Sequence, residues 1–413
     1  MKYIFDLDGT ITSQETLPLI SNHFNIDKEI RRLTEETVQG NIPFIESFIR
    51  RVQILGDLPV SEINDLLAGV PLSAKVFQFI QENKDDCIIA TGNIDSWVEK
   101  LIKKLGCEAF TSEAIIENNK IKKLTKILKK EDVVKKYKAQ GEKVVFIGDG
   151  NNDVEAMREA DISIACGLVH YPAKGVLTVT DYSVFDGNAI YRLLNQINRP
   201  QQGKSLVLSC AGIGSRLGLG KTKALIDIGG KPLIYWQLEQ FSQIADIRIV
   251  IGFQGNDIIQ AVLKKNTDVI FIYNHNYFNT KTGASYYLGA KHGNEYSIAW
   301  DGDLLVHPKD INRCLKFKGE FVGCSKTVTD DAVLASVDEK GDVISFSREN
   351  GDYEWSGPAC LKKEHVKYIS NHVYHQIEEY LPLPALIVEA QDVDTYDDYK
   401  SAIKFINTWE NGE

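Results

Sequence analysis

Asp6 and Asp8 stand two residues apart, where the short apolar run Lys2–Phe5 gives way to Gly9 and Thr10. Alternate residues of a strand share a face, so both carboxylates address one site. Two carboxylates brought together repel unless a proton or a cation is shared between them. A Mg²⁺-assisted centre, in which one aspartate attacks and the other moves a proton, resolves that conflict. Ala90-Thr91-Gly92-Asn93 and Phe146-Ile147-Gly148-Asp149-Gly150-Asn151-Asn152-Asp153 bring further hydroxyl, amide and carboxylate groups to the ends of two more apolar runs.

A second set of chemical residues starts past residue 200. Ser205–Ser209 reads as a strand running into Gly212-Ile213-Gly214-Ser215-Arg216-Leu217-Gly218. Glycines in such a loop let backbone N–H groups approach and cradle phosphates. A dinucleotide fingerprint needs Gly or Ala where Leu217 stands, so that reading fails. Arg216 and Lys223 are suited instead to offset triphosphate charge as pyrophosphate leaves. Gly230-Lys231-Pro232-Leu233 adds a further cation nearby.

Elements must carry these groups. Strand patterns at Lys2–Phe5, Cys87–Ala90, Val144–Ile147 and Ile162–Ala165 alternate with helical ones such as Ile94–Leu105 and Asp153–Glu159. That alternation predicts a parallel sheet with helices on both faces. Residues 14–72 differ: Glu29–Gln39, Pro43–Leu55 and Val60–Leu67 read as amphipathic helices, a cap over the site. The polar run from Arg199 to Lys204 contains Pro and Gly and reads as a linker. A second α/β pattern follows, with strands at Ser205–Ser209, Ile247–Ile251, Val269–Tyr273 and Ser297–Trp300. The expected fold class is α/β, with two doubly wound domains at 1–198 and 205–413 and a linker at 199–204. The basic run Lys120–Lys130 is expected to be mostly solvated surface.

Composition narrows the partners. The length of 413 residues allows two or three domains, each with its own core. A net charge of −10 argues against nucleic acid as a main partner. The seven cysteines are odd in number and form no Cys-x-x-Cys pair, which predicts reduced thiols in a cytoplasm. No signal peptide precedes the first strand, and no apolar run reaches the length of a membrane span. Small phosphorylated metabolites are the expected partners.

The first set of motifs, in this order, resembles the haloacid dehalogenase superfamily of phosphohydrolases over roughly residues 1–195. The resemblance implies a Rossmann-like core under a helical cap. It implies that Asp6 attacks phosphorus to form an aspartyl phosphate, and that Asp8 protonates the leaving oxygen and then activates water. Thr91 and Gly92 would hold the phosphoryl oxygens, and a lysine would neutralise developing charge. Lys130 is preferred because Val133 and Val134 follow it, with Lys126 and Lys129 as alternatives. Mg²⁺ would be held by Asp6, Asp8, Asp149 and Asp153, with Asn152 in support. Glu15, Gly40, Phe44 and Arg51 match the phosphoserine phosphatase branch, where the glutamate faces an ammonium and the arginine a carboxylate. The planar guanidinium suits a carboxylate because it binds bidentately. That branch carries Ser-Gly-Gly where this chain has Thr91-Gly92-Asn93.

The second set resembles the nucleotidyltransferase superfamily with the glycosyltransferase-A-like fold, over roughly residues 204–405. Thr222 stands where that family has Pro before its lysine. The resemblance implies phosphate binding by Gly212, Gly214, Ser215 and Lys231, and Mg²⁺ on Asp303 and Asp394. Within the superfamily the chain looks most like cytidylyltransferases that use CTP to activate phosphocholine, phosphoethanolamine or 2-aminoethylphosphonate. The segment Asn274–Leu288, including Ser285, resembles their substrate side. Tyr286, Tyr287 and Trp355 are expected as core aromatics, with a cation-binding face as the alternative. Glu354 is expected as a surface acid, and His372 and His375 on one face of a surface helix. The expected whole is a bifunctional phosphatase and cytidylyltransferase. The alternatives are a sugar-1-phosphate nucleotidyltransferase, or one domain serving only as a binding module.

Overall fold

The structure, a computed structural model, describes residues 1–38, 41–214, 220–326, 332–355 and 357–410. The chain divides into two compact units, Met1–Leu194 and Asn195–Glu413.

Among the described residues, the first unit holds seven strands: β1 (Lys2–Phe5), β2 (Cys87–Ile94), β3 (Glu108–Glu117), β4 (Lys120–Lys126), β5 (Val144–Gly148), β6 (Ile162–Cys166) and β7 (Tyr182–Val184). They lie in the order β3-β2-β1-β5-β6-β7, all parallel, and β4 folds back antiparallel on β3. Tyr3, Ile4 and Phe5 are fully buried, as are Val144 to Ile147. Strands covered on both faces have no polar side to show, so they read as unbroken apolar runs. Phe5 pairs with Ile147 on one side and Ile89 on the other. That register brings the carboxyl ends of β1, β2 and β5 together, the edge where open α/β sheets bind ligands.

Helices fix what meets that edge. The helix Asp95–Leu105 stops at Gly106, which takes φ +72° and donates its N–H to the Ile102 carbonyl at 2.9 Å. In the helix Lys130–Ala139, Val133, Val134 and Tyr137 pack against Ile4, Ile88 and Phe146. Each large apolar side chain so buried contributes about 1.5–3 kcal/mol, and this packing turns Lys130 at the helix start toward the sheet. The cap helices are Thr16–His23, Asp27–Val38, Phe44–Leu55 and Val60–Ala68. The β3–β4 hairpin joins them: Val60 N–H donates to the Asn119 carbonyl at 2.8 Å and Ile121 N–H to that of Gly56 at 2.9 Å. The basic run is mostly exposed, as expected, with one exception. Lys120, Lys122, Lys123 and Lys126 are exposed on β4, whereas Lys130 is buried.

In the second unit, β8 (Lys204–Cys210) runs parallel between Ile247–Ile251 and Tyr296–Asp301, with Ile270–Tyr273 outside Ile247–Ile251. The strand Ala359–Lys362 adds antiparallel to Tyr296–Asp301, and Phe321–Cys324 pairs with it in turn. A smaller sheet is made by Val333–Val337, Asp342–Ser347 and Tyr353–Trp355. Among the described residues, no helix is long and apolar enough to cross a membrane.

Candidate active sites

The first site lies at the carboxyl edge of β1, β2 and β5. Asp6 directly follows β1, with its Oδ1 accepting from Leu7 N–H at 2.8 Å and from Lys130 Nζ at 2.7 Å. Lys130 also reaches Asp153 Oδ1 at 2.5 Å, and Asp153 Oδ2 accepts the N–H groups of Asp149 and Gly150, both at 3.0 Å. Burial alone would lower the Lys130 pKa, but Asp153 and Asp6 outweigh it and hold the ammonium charged. Lys126 instead pairs with Glu113 on the exposed hairpin and Lys129 is exposed, so neither alternative reaches this cluster.

Asp8 occupies a different setting. Its Oδ1 accepts from Thr16 N–H at 2.9 Å and its Oδ2 from Asn93 Nδ2 at 2.6 Å. Burial, with Glu15 nearby, pushes its carboxyl up to about 6. Asn93 also donates its backbone N–H to Thr91 Oγ1 at 3.1 Å, so Thr91 and Asp8 are held by one residue. Burial likewise raises Asp6 well above the usual carboxylate range, and pushes Asp149 up to about 6. Gly9 takes φ +66°, and a Cβ there would lie 3.0 Å from Asp149 Oδ2, so the turn after β1 requires glycine.

These groups open into a cavity of about 380 Å³, lined also by Glu15, Leu17, Phe48, Arg51, Gly92, Asn152, His170 and Tyr171. Arg51 is buried and donates its Nε–H to the Ser47 carbonyl at 3.3 Å. Burial lowers its pKa against the pull of Asp8 and Glu15. His170 stands between two acids, with Nε2 at 2.9 Å from both Glu15 Oε1 and Asp149 Oδ2. Gly40 lies outside the described residues. His170 gave no signal in the sequence, being a lone loop histidine.

The donor set fits a hard divalent cation. Ligand oxygens of Asp6, Asp149 and Asp153 all lie within 4.8 Å of one another, and burial leaves three carboxylates facing one lysine. Asp8 does not join that group. Its two oxygens accept from Thr16 N–H and Asn93 Nδ2 instead.

The second site lies at the end of β8, in a cavity of about 430 Å³ lined by Gly212, Gly214, Lys223, Asn274, Ser285, Asp303 and Asp394, among others. Lys223 Nζ meets Asp303 Oδ2 at 2.7 Å and pairs with Asp394 Oδ1 as well. Burial opposes its charge, but the two aspartates hold its pKa raised. Asp301 and Asp392 also line the cavity; burial pushes Asp301 up to about 7 and holds Asp392 well above the usual carboxylate range. Four carboxylates around one lysine leave negative charge for a cation. Among the described residues, however, no three donors here come within 4.8 Å of one another. Asn274 Nδ2 donates to Ser285 Oγ and Thr280 Oγ1, both at 3.1 Å, which builds a polar wall.

Several expectations need correcting. Lys231 does not line this cavity; it pairs with Glu239 and lies over the Trp236 ring. Glu354 is buried rather than a surface acid. His372 is not on a helix; it precedes the short helix Tyr374–Ile377 and lines the cavity. Tyr286 is the core residue that was expected, and its hydroxyl donates to the Ser297 carbonyl at 2.7 Å. Neither Tyr287 nor Trp355 faces the cavity. Ser215 and Arg216 lie outside the described residues. Asp301 and Asp392 were missed as site residues. Their two-residue spacing from Asp303 and Asp394 was the signal.

Two enzymatic domains follow from this arrangement, one built for phosphate-ester hydrolysis and one for nucleotidyl transfer. Residues 3–161 match the model of the haloacid dehalogenase-like hydrolases, and residues 205–349 that of the MobA-like NTP transferase domain. The chain is thus a haloacid dehalogenase-type phosphatase domain fused to a nucleotidyltransferase domain. Its first part is 28% identical over 175 residues to a phosphoserine phosphatase of Methanocaldococcus jannaschii, covering 39% of this chain and 83% of that one. It is 27% identical over 201 residues to the phosphoserine phosphatase of Archaeoglobus fulgidus, covering 45% of this chain and 57% of that one. The CTP:phosphocholine cytidylyltransferase of Streptococcus pneumoniae is 17% identical, with a TM-score of 0.42, covering 49% of this chain and 99% of its own.

Proposed function

We propose that the chain is a bifunctional, Mg²⁺-dependent enzyme of the cytoplasm. Its first domain hydrolyses a small phosphate monoester through an aspartyl phosphate. Its second domain transfers CMP from CTP to a small phosphorylated alcohol or phosphonate. The observation that carries the first half is the buried Lys130, joined to both Asp6 and Asp153.

Leu7 N–H and Lys130 both engage Asp6 Oδ1, which leaves Oδ2 to attack phosphorus. The P–O bond to the leaving alcohol breaks, and Asp8, raised to about 6, gives that oxygen its proton. Asp8 then takes a proton from water, whose oxygen attacks phosphorus and releases Asp6 and inorganic phosphate. Thr91 and Gly92 bind the phosphoryl oxygens, and Lys130 offsets their charge. Mg²⁺ on Asp6, Asp149 and Asp153 supplies further electrophilic charge when bound.

In the second domain, Gly212 and Gly214 face the triphosphate, with Lys223 opposing its charge. Asp303 and Asp394 would hold Mg²⁺. An oxygen of the acceptor phosphate attacks the α-phosphorus, the bond to the β-phosphate breaks, and pyrophosphate leaves. The hydrogen-bonding wall of Asn274, Thr280 and Ser285, beside Lys281 and His372, also favours a hydroxyl-bearing acceptor such as a polyol or sugar phosphate.

The test is pyrophosphate release by Asp6→Asn protein, which spares phosphate esters, with each NTP and a panel of amino-alcohol phosphates, 2-aminoethylphosphonate, polyol phosphates and hexose 1-phosphates. Release with CTP and an amino-alcohol phosphate, lost in Asp303→Asn, supports the primary reading. Release only with a hexose 1-phosphate and UTP or dTTP moves the domain to sugar activation.

A further inference from the structure

Asn93 lies near the carboxyl end of β2, where that strand leaves its ladder. Ala90 pairs with Phe110 and Ile94 with Ser112, so Thr91, Gly92 and Asn93 stand opposite a single residue of β3. Such bulges beside active sites re-aim side chains. Asn93 is buried and lines the first cavity. Its Nδ2 donates to Asp8 Oδ2 at 2.6 Å. Thr16 Oγ1 meets both ends of the amide, 3.3 Å from Oδ1 and 3.1 Å from Nδ2. Nδ2 also lies 3.3 Å from Thr91 Oγ1, and the backbone N–H of Asn93 donates to that same oxygen at 3.1 Å. The hold on Thr91 thus has a main-chain part that any residue but proline would supply. The hold on Asp8 is made by the side-chain amide.

A carboxyl group that passes protons must face its partner in a fixed plane, because a small misplacement of a catalytic group costs a large part of the rate. With Thr16 N–H alone on Oδ1, the Asp8 carboxyl could still turn about that one hydrogen bond. A second donor on Oδ2 stops the rotation. We infer that Asn93 is a positioning residue for proton transfer: its amide, itself oriented by the Thr16 hydroxyl, fixes the plane of the Asp8 carboxyl against the leaving oxygen. This rests on the phosphatase reading above. In the first half-reaction Asp6 Oδ2 bonds to phosphorus, the bond from phosphorus to the leaving oxygen breaks, and the proton moves from Asp8 to that oxygen. The more basic the leaving oxygen, the more the step depends on that proton. Asn93 is therefore expected to matter for alkyl esters far more than for esters of acidic phenols. The phosphate grip of Thr91 keeps its main-chain support in either case.

The test uses two esters of similar shape, benzyl phosphate and p-nitrophenyl phosphate, with the full chain and Mg²⁺. Benzyl alkoxide is a strong base that needs a proton as it leaves, whereas p-nitrophenolate leaves as the anion. The readout is the ratio of kcat/KM for the benzyl ester to that for the p-nitrophenyl ester. It covers only the steps through departure of the leaving group, so the later attack of water does not enter. Asn93→Ala is expected to lower that ratio about 100-fold relative to wild type. Thr16→Val, which removes the hydroxyl that orients the amide while keeping the side-chain shape, should lower it in the same direction. If thermal melting shows that Asn93→Ala does not fold, Thr16→Val decides alone. An equal loss with both esters, the mark of a merely structural role or of a direct phosphate contact, overturns the inference. So does a ratio within about two-fold of wild type, the margin expected of variants that share no partner with the reacting group. Failure of the phosphatase reading is separate: p-nitrophenyl phosphate hydrolysis would then be absent from the wild type, or would survive Asp6→Asn.

Discussion

Lys130 is the residue on which the first site depends most. It is buried, and its ammonium is the contact partner of two buried carboxylates. Removing one partner of a buried ion pair costs about 3–5 kcal/mol, because the remaining charge is stranded. Lys130→Met is expected to lower the unfolding free energy by that order, and to reduce phosphatase turnover by about 100-fold or more. Urea titration and steady-state kinetics check the two halves; near-normal turnover would sink the assigned role. The family resemblance already pointed to this lysine, because Val133 and Val134 follow it at the spacing of the haloacid dehalogenase pattern. It could not point to His170, because a loop residue has no periodicity to betray its direction. Asp301 carries a pH effect in the second unit. Burial raises its folded pKa to about 7, above the unfolded value of about 3.9. A raised carboxyl binds its proton more tightly in the folded state. Its contribution to stability is therefore complete below the unfolded value and is lost as pH rises toward 7. Without metal, the second unit is expected to lose stability between pH 4 and 7, and Asp301→Asn should flatten that decline, as read by thermal melting across the range. An unchanged slope in the variant would show that Asp301 does not titrate there.

At the scale of elements, the turn from β5 into Asp149 is built around an absent side chain. A Cβ on Gly148 would fall 2.4 Å from Asp153 Oδ2, and Asp153 is pinned by Lys130 and by two backbone N–H groups. Overpacking such a site costs about 1–3 kcal/mol. Gly148→Ala is expected to lower the melting temperature and to cut phosphatase activity, since the displaced carboxylate is the one that orients Lys130. A variant with both properties intact would mean that β5 shifts to make room. The strands of the parallel sheets were legible because burial on both faces leaves them uniformly apolar. Ile247–Ile251, for example, is a strand of five buried residues with the predicted limits. The β3–β4 hairpin was hidden, because its outer strand Lys120–Lys126 keeps exposed lysines that read as plain surface. Charged outer strands resist edge-to-edge pairing, and the property that protects them also masks them. The short helix Tyr374–Ile377 escaped for a related reason: four residues give too little periodicity to place His372 outside it.

For the molecule as a whole, the glycine-rich run after residue 200 signalled a second start, because a phosphate loop follows a first strand. The finer chemistry of each pocket was less legible, since substrate walls come from residues distant in sequence. Asn274 and Ser285 meet across 11 positions, and Glu15 and His170 across 155. Each unit nevertheless supplies its own cavity. The residues lining the first run from Asp6 to Ala173, and those lining the second from Ser209 to Asp394. No residue is common to both sets. Variants at sites that share no partners act independently to within about 0.3–0.5 kcal/mol, roughly two-fold in rate. Asp6→Asn is therefore expected to abolish phosphate release while leaving pyrophosphate release within about two-fold of wild type. Asp303→Asn should do the reverse, and the double variant should simply combine both losses. Parallel assays of phosphate and pyrophosphate on the four proteins decide it. A larger effect of either single variant on the other reaction would mean that the two centres communicate.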